Sequence, residues 1–134
     1  MSTVIGTVTL DNDMIFEDEF KYSRVSASTT RTVGGGIVVQ EFAVPENGRM
    51  VTLIGNGPVG AQLKSTVESL HLLAQEPYAT YTLTITTDTR SFSRTVRFVN
   101  EIDGGAVQFE PVVARDGLHA GTMYYTGTIY LMIV

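Results

Sequence analysis

The chain of 134 residues contains no cysteine. Disulfides, thiolate zinc sites, iron–sulfur clusters and a cysteine nucleophile are therefore excluded. Charge is also scarce, at 17% of residues against a usual fraction of about 25%. With 43% hydrophobic residues, the chain fits neither a disordered segment nor a heavily charged monomer surface. A net charge of −5 argues against wrapping nucleic acid, whose phosphates require clustered Lys and Arg. Long apolar runs are missing too: Ile129-Tyr130-Leu131-Met132-Ile133-Val134 falls far short of the roughly 20 residues that span a bilayer. That run is expected to be a strand or an interface, and no membrane partner is expected. Met1-Ser2-Thr3 lacks the positive region of a secretory signal, so the expectation is a protein made in and retained by the cytoplasm. The length suits one β-rich domain over 1–134, large enough to bury about two thirds of its unfolded surface.

What is abundant is threonine, interleaved with Val, Ile, Leu and Tyr at the period of half-buried strands. In Tyr81-Thr82-Leu83-Thr84-Ile85-Thr86, Tyr81, Leu83 and Ile85 share one face and the threonines the other. Asp88-Thr89-Arg90 reads as a turn, and Phe92, Val96 and Phe98 resume the alternation, predicting a hairpin. A turn at Asp103-Gly104-Gly105 leads to a strand over Ala106–Val113, with Pro111 marking an edge or a bulge. Met123–Val134 is the last strand, with Tyr125, Ile129, Leu131 and Ile133 on one side. The first half is read as strands over Val4–Leu10, Tyr22–Thr32, Ile37–Phe42 and Met50–Ile54, with turns at Asp11-Asn12-Asp13, Gly34-Gly35-Gly36 and Pro45-Glu46-Asn47-Gly48. One helix is predicted, from about 61 to 75, with Leu63, Val67, Leu70 and Ala74 on one face and Pro77 ending it. The expected fold class is α+β, mainly antiparallel β, with a sandwich or barrel flanked by that helix.

Four features bear on chemistry. Gly55-Asn56-Gly57-Pro58-Val59-Gly60 has the G-x-G-x-x-G form of a dinucleotide site, but a Thr-alternating strand follows it in place of a buried parallel one. The better reading is a strand-to-helix turn that exploits glycine geometry, and no cofactor is expected. Asp11, Asp13, Glu17, Asp18 and Glu19 place five of fourteen carboxylates in nine positions. Their spacing matches no calcium loop, which favours a solvated acidic turn or an electrostatic partner for another subunit. His71 and His119 lack the spacing of a metal site. No G-x-S-x-G elbow supports nucleophilic catalysis, and no carboxylate pair is singled out for glycoside hydrolysis, so no catalytic residue is assigned.

Seven of the nine basic residues are Arg, the residue that interfaces favour over Lys. Arg90 and Arg94 share one face of the predicted hairpin. One reading is a solvated strand face. The other sets Arg90 and Arg94 against Glu17, Asp18 and Glu19 of a neighbouring copy, a head-to-tail contact able to close a ring. Leu131 and Ile133, on the apolar final strand, join this expected interface.

Several stretches resemble small tail and baseplate proteins of bacteriophages, the group encoded near the tail tape-measure and tail hub. They are Ile15–Phe20, Gly35–Glu41, Gly48–Gly55, Thr66–Ala74, Pro77 with Tyr81-Thr82-Leu83, and Phe92–Phe98, which together cover most of 14–113. The resemblance implies a non-enzymatic virion component that connects tail tube to hub. It also implies a β-sandwich or barrel with one helix, assembled as hexameric rings through loops, long hairpins and terminal segments, with other tail or baseplate proteins as partners. Thr30–Gly36 and Arg115–Gly121 are the segments expected to order on assembly. The rival expectation is a small sandwich that grips a carbohydrate or receptor through Tyr78, Tyr124 and Tyr125.

Overall fold

The computed structural model describes residues 2–17, 19–21, 23, 25–43, 45–56, 60–112 and 123–134. In chain order the elements are β1 (Ser2–Ile5), β2 (Val8–Thr9), β3 (Ile15–Phe16), β4 (Val25–Arg31), β5 (Ile37–Ala43), β6 (Met50–Ile54), β7 (Gln62–Leu63), α1 (Lys64–Ala74), β8 (Tyr81–Thr86), β9 (Ser91–Phe98), β10 (Val107–Pro111) and β11 (Tyr124–Ile133). The main sheet runs β2-β1-β8-β9-β11-β6-β3, with β10 and β7 also on β11, and its ladders are antiparallel. The chain is thus α+β and mainly antiparallel β, as its alternation predicts. The pairing path ends at β2 and β3, and no ladder among the described residues joins those ends into a barrel.

β11 is the spine. Along one edge it pairs with β9, from Ile133↔Val96 to Leu131↔Phe98, and then with β10, from Ile129↔Val107 to Tyr125↔Pro111. The ladder is continued across the junction by Val99 N–H donating to Tyr130 O (3.1 Å) and Tyr130 N–H donating to Ala106 O (2.8 Å). β9 and β10 therefore act as one strand from which 100–105 bulges outward. The other edge repeats the device. β6 pairs from Met50↔Met132 to Ile54↔Thr128, and β7 resumes with Gln62↔Tyr125 and Leu63↔Tyr124. Pro111 ends β10, which among the described residues pairs only with β11, so its missing N–H falls on an edge as expected.

Period two sorts the side chains. Leu83 and Ile85 of β8, Val96 and Phe98 of β9, Val51 and Leu53 of β6, and Ile129, Leu131 and Ile133 of β11 are buried, together with Ile5 of β1. In a flat sheet β9 and β3, three strands apart, would lie about 14 Å from one another. Yet the Phe16 and Phe92 rings meet edge to face at 5.5 Å between centroids. The sheet coils across β9, β11, β6 and β3, and its flanks converge on a shared interior.

The helix is shorter than predicted because Gln62 and Leu63 are held in extended pairing by β11. Val67, Leu70 and Ala74 face the core, whereas Leu63 is only partly buried. Leu63 offers no capping side chain. The carboxylate of Asp11 does this work from a distance, accepting from Leu63 N–H (3.1 Å) and Thr66 Oγ1 (2.6 Å). At the other end, Tyr81 Oη donates to Leu73 O (3.0 Å) and Asn100 Nδ2 to Ala74 O (2.9 Å), so two of the helix's last carbonyls are satisfied. The predicted Val4–Leu10 strand is instead the two short strands β1 and β2, folded at Gly6, whose φ is +59°.

Candidate assembly interface

Among the described residues β4 and β5 pair only with each other, in register from Val25↔Ala43 to Arg31↔Ile37. Every residue of both strands is exposed, Val25, Ile37, Val38, Val39 and Phe42 included. The sequence explains why the ribbon forms: six of its fourteen strand residues are β-branched, and Val33-Gly34-Gly35 closes it as a three-residue loop. Gly35 N–H donates to Thr32 O (3.0 Å), Thr32 N–H donates to Gly36 O (2.8 Å), and Gly35 takes φ +85°. Thr30–Gly36, expected to order on assembly, is already a hydrogen-bonded turn in the single chain. A two-stranded ribbon is marginal in water by itself. This one also presents aliphatic residues on both faces and unpaired backbone on both edges.

Both roots of the ribbon are fastened to the main sheet by arginines. On the side leading into β4, Arg90 pairs with the Glu19 carboxylate and lies over the Phe20 ring at 5.1 Å. On the side leaving β5, Arg94 Nε donates to Glu46 Oε2 (2.7 Å) and lies over Phe92 at 4.9 Å. Between them, the largely buried Arg49 donates from Nη2 to Glu19 O (2.9 Å) and reaches Glu46 Oε1 at 3.6 Å. Its guanidinium stands 5.7 Å from the Phe16 ring centre and 5.6 Å from that of Phe92. The result is a clamp of three arginines, two glutamates and two phenylalanines that ties the segments flanking the ribbon, at Glu19 and Glu46, to the body.

Glu19, Arg90 and Arg94 do come together with opposite charge, but within one chain: Arg90 meets Glu19, and Arg94 meets Glu46. Even spacing alone could not reveal this, because Arg94 shares the parity of the buried Phe92 and Val96 yet stays exposed beside Glu46. Leu131 and Ile133 are 0% and 3% exposed, so they belong to the core and form no surface contact. Glu17 is exposed, and its N–H donates to Thr52 O (3.0 Å). Asp18, His119 and Arg115–Gly121 lie outside the described residues. Arg49 and Glu46 were not singled out by sequence, which offers no local pattern linking position 46 or 49 to 90 and 94.

The glycine-rich turn does not feed the helix. β7 intervenes between Gly60 and α1, and residues 57–59 lie outside the described residues. Gly60, at φ +75°, is required by close approach, since a Cβ there would stand 3.1 Å from Asp13 O and 3.3 Å from Met14 Cα. Beside it Gln62, fully buried, accepts from Asp11 N–H (2.7 Å) and donates to Asn12 O (2.6 Å) and Gly60 O (2.9 Å). The turn thus locks the 11–14 segment onto the sheet. Tyr78 is fully exposed at φ +60°, and Tyr124 is half exposed. They flank opposite ends of an eleven-residue helix about 16 Å long, so they make no common stacking platform. Among the described residues no three His, Asp or Glu side chains converge on a metal-sized site, and no helix is long and apolar enough to cross a membrane. A scan against protein-family models finds no match, and neither does comparison with curated proteins or with solved structures.

Proposed function

We propose that the chain is a non-enzymatic structural subunit that assembles with copies of itself into a ring, as part of a bacteriophage tail or baseplate connecting tube to hub. The observation that carries the assembly is the clamped β4–β5 ribbon. Fourteen strand residues are exposed, five of them large and apolar, between flanking segments ion-paired to the body at Glu19 and Glu46. A surface of this kind is stable when covered. At about 23 Å the ribbon is long enough to contribute the roughly 800 Å² per partner of a standard interface. The contact joins unlike surfaces, ribbon against body, and such contacts generate rings when the rotation closes. The tail assignment rests on the resemblance across 14–113, which also names the virion as location and other tail or baseplate proteins as further partners. Negative-stain images of the purified protein test the reading. Rings of uniform size are expected, and a field of isolated monomers at high concentration would overturn it.

A further inference from the structure

We propose that the tip of the ribbon docks in a specific hole on the next copy, the cleft between β3 and the β8–β9 hairpin. This rests on the self-assembly reading above and adds the place and chemistry of the contact. The cleft has a volume of about 260 Å³ and a mainly apolar lining that includes Met14, Ile15, Phe16, Ile85 and Phe92. Ile15, 46% exposed, leaves its apolar wall open to solvent. At the rim stand Asp13, Glu19, Thr87 and Arg90. Glu19 and Arg90 neutralise one another, whereas Asp13 is exposed and has no cation paired with it among the described residues.

The ribbon tip is the complement. Val33, at the apex of the Thr32–Gly36 turn, is completely exposed, and Gly34, Gly35 and Gly36 follow it, so it projects as a lone branched aliphatic side chain. Arg31 and Ile37 form the last pair of the ribbon beneath it. Among the described cations, Arg49, Lys64, Arg90, Arg94 and Arg97 each have a carboxylate partner within the chain. Arg31 and Lys21 do not, and Arg31 is the one carried to the tip. An aliphatic knob beside an unpaired cation thus answers an apolar hole beside an unpaired carboxylate. Val33 is fully exposed, and the matching apolar hole and carboxylate lie on this same chain's surface, so the complement is a second copy. Because knob and hole lie on different elements, each copy offers both halves and the contact propagates head to tail. The acidic 11–19 segment then meets a positive partner on a neighbour, but through Asp13 and Arg31 in place of Glu19 and Arg90.

Charge exchange in the full-length protein tests the docking, read as assembly mass by light scattering. Arg31→Glu and Asp13→Arg are each expected to weaken association about tenfold or more, since each sets like charges against one another. Combining them restores opposite charges and is expected to recover most of the assembly. Val33→Asp, which places a carboxylate in the apolar hole, is expected to release monomers. All three positions are exposed, so the variants should melt like the parent, and circular dichroism checks this. Assemblies indifferent to Arg31→Glu and Val33→Asp, or a double variant no better than either single one, would overturn the docking while leaving ribbon-mediated assembly standing. A parent chain that is itself monomeric would overturn both.

Discussion

A Cβ added to Gly127 would overlap the carbonyl oxygen of Gln108 and come within 2.7 Å of Phe109 Cα. Here β10 crosses β11 so closely that only hydrogen fits, and backbone cannot step aside as a flexible side chain does. Gly127→Ala is therefore expected to cost about 3 kcal/mol or more in chemical denaturation, at the upper end of overpacking effects. Gln62 is the polar counterpart. Replacing it with Leu strands the N–H of Asp11 and the carbonyls of Asn12 and Gly60, with an expected loss of about 3 kcal/mol. Asp11→Ala removes only the distant cap on α1, with an expected loss of about 1 kcal/mol. Glu101 illustrates a weaker, exposed contact. Its hydrogen bond from Arg97 (2.8 Å) holds its carboxyl below the usual carboxylate range. A lowered folded pKa contributes stability that is present above the unfolded value and lost as pH falls through the folded one. Melting curves of Glu101→Gln and the parent should therefore differ slightly near neutrality and converge in acid.

At the scale of elements, the ribbon and the body are energetically separate. No ribbon residue enters the core, so replacing 25–43 by a short turn is expected to leave the melting temperature of the body nearly unchanged. The clamp is expected to divide unequally. The Arg90 and Arg94 pairs are partly exposed and worth well under about 1 kcal/mol each, whereas Arg49 also fills space between two rings. The alternation of Tyr81–Thr86 with Phe92–Phe98, the β10 edge marked by Pro111 and the apolar face of the helix were all readable in sequence, because period and burial go together there. The coil of the sheet was not, since it follows from how β9 and β10, and β6 and β7, each share one edge of β11 through outward excursions. Tyr22–Thr32 and Ile37–Phe42 were recognisable as strands, but nothing local distinguished a ribbon standing free from one laid on the core. The roles of Glu19, Arg90 and Arg94 turned on the same point. Their charges were legible as complementary, and only the coil shows that complementarity satisfied inside one chain.

For the molecule as a whole, scarce charge and few lysines take on a definite location. Three of the nine cations, Arg49, Arg90 and Arg94, gather with Glu19 and Glu46 at the root of the ribbon, while the ribbon itself carries Arg31 and Glu41 among uncharged residues. A body with a well-buried core and a separate, uncovered arm is the expected form of a subunit whose surface is completed by its neighbours. Sedimentation velocity on the intact chain beside the chain lacking 25–43 tests this most directly. A discrete, concentration-dependent oligomer is expected for the first and a folded monomer for the second. An intact chain that remains monomeric at high concentration, or a shortened chain that assembles equally well, would contradict it.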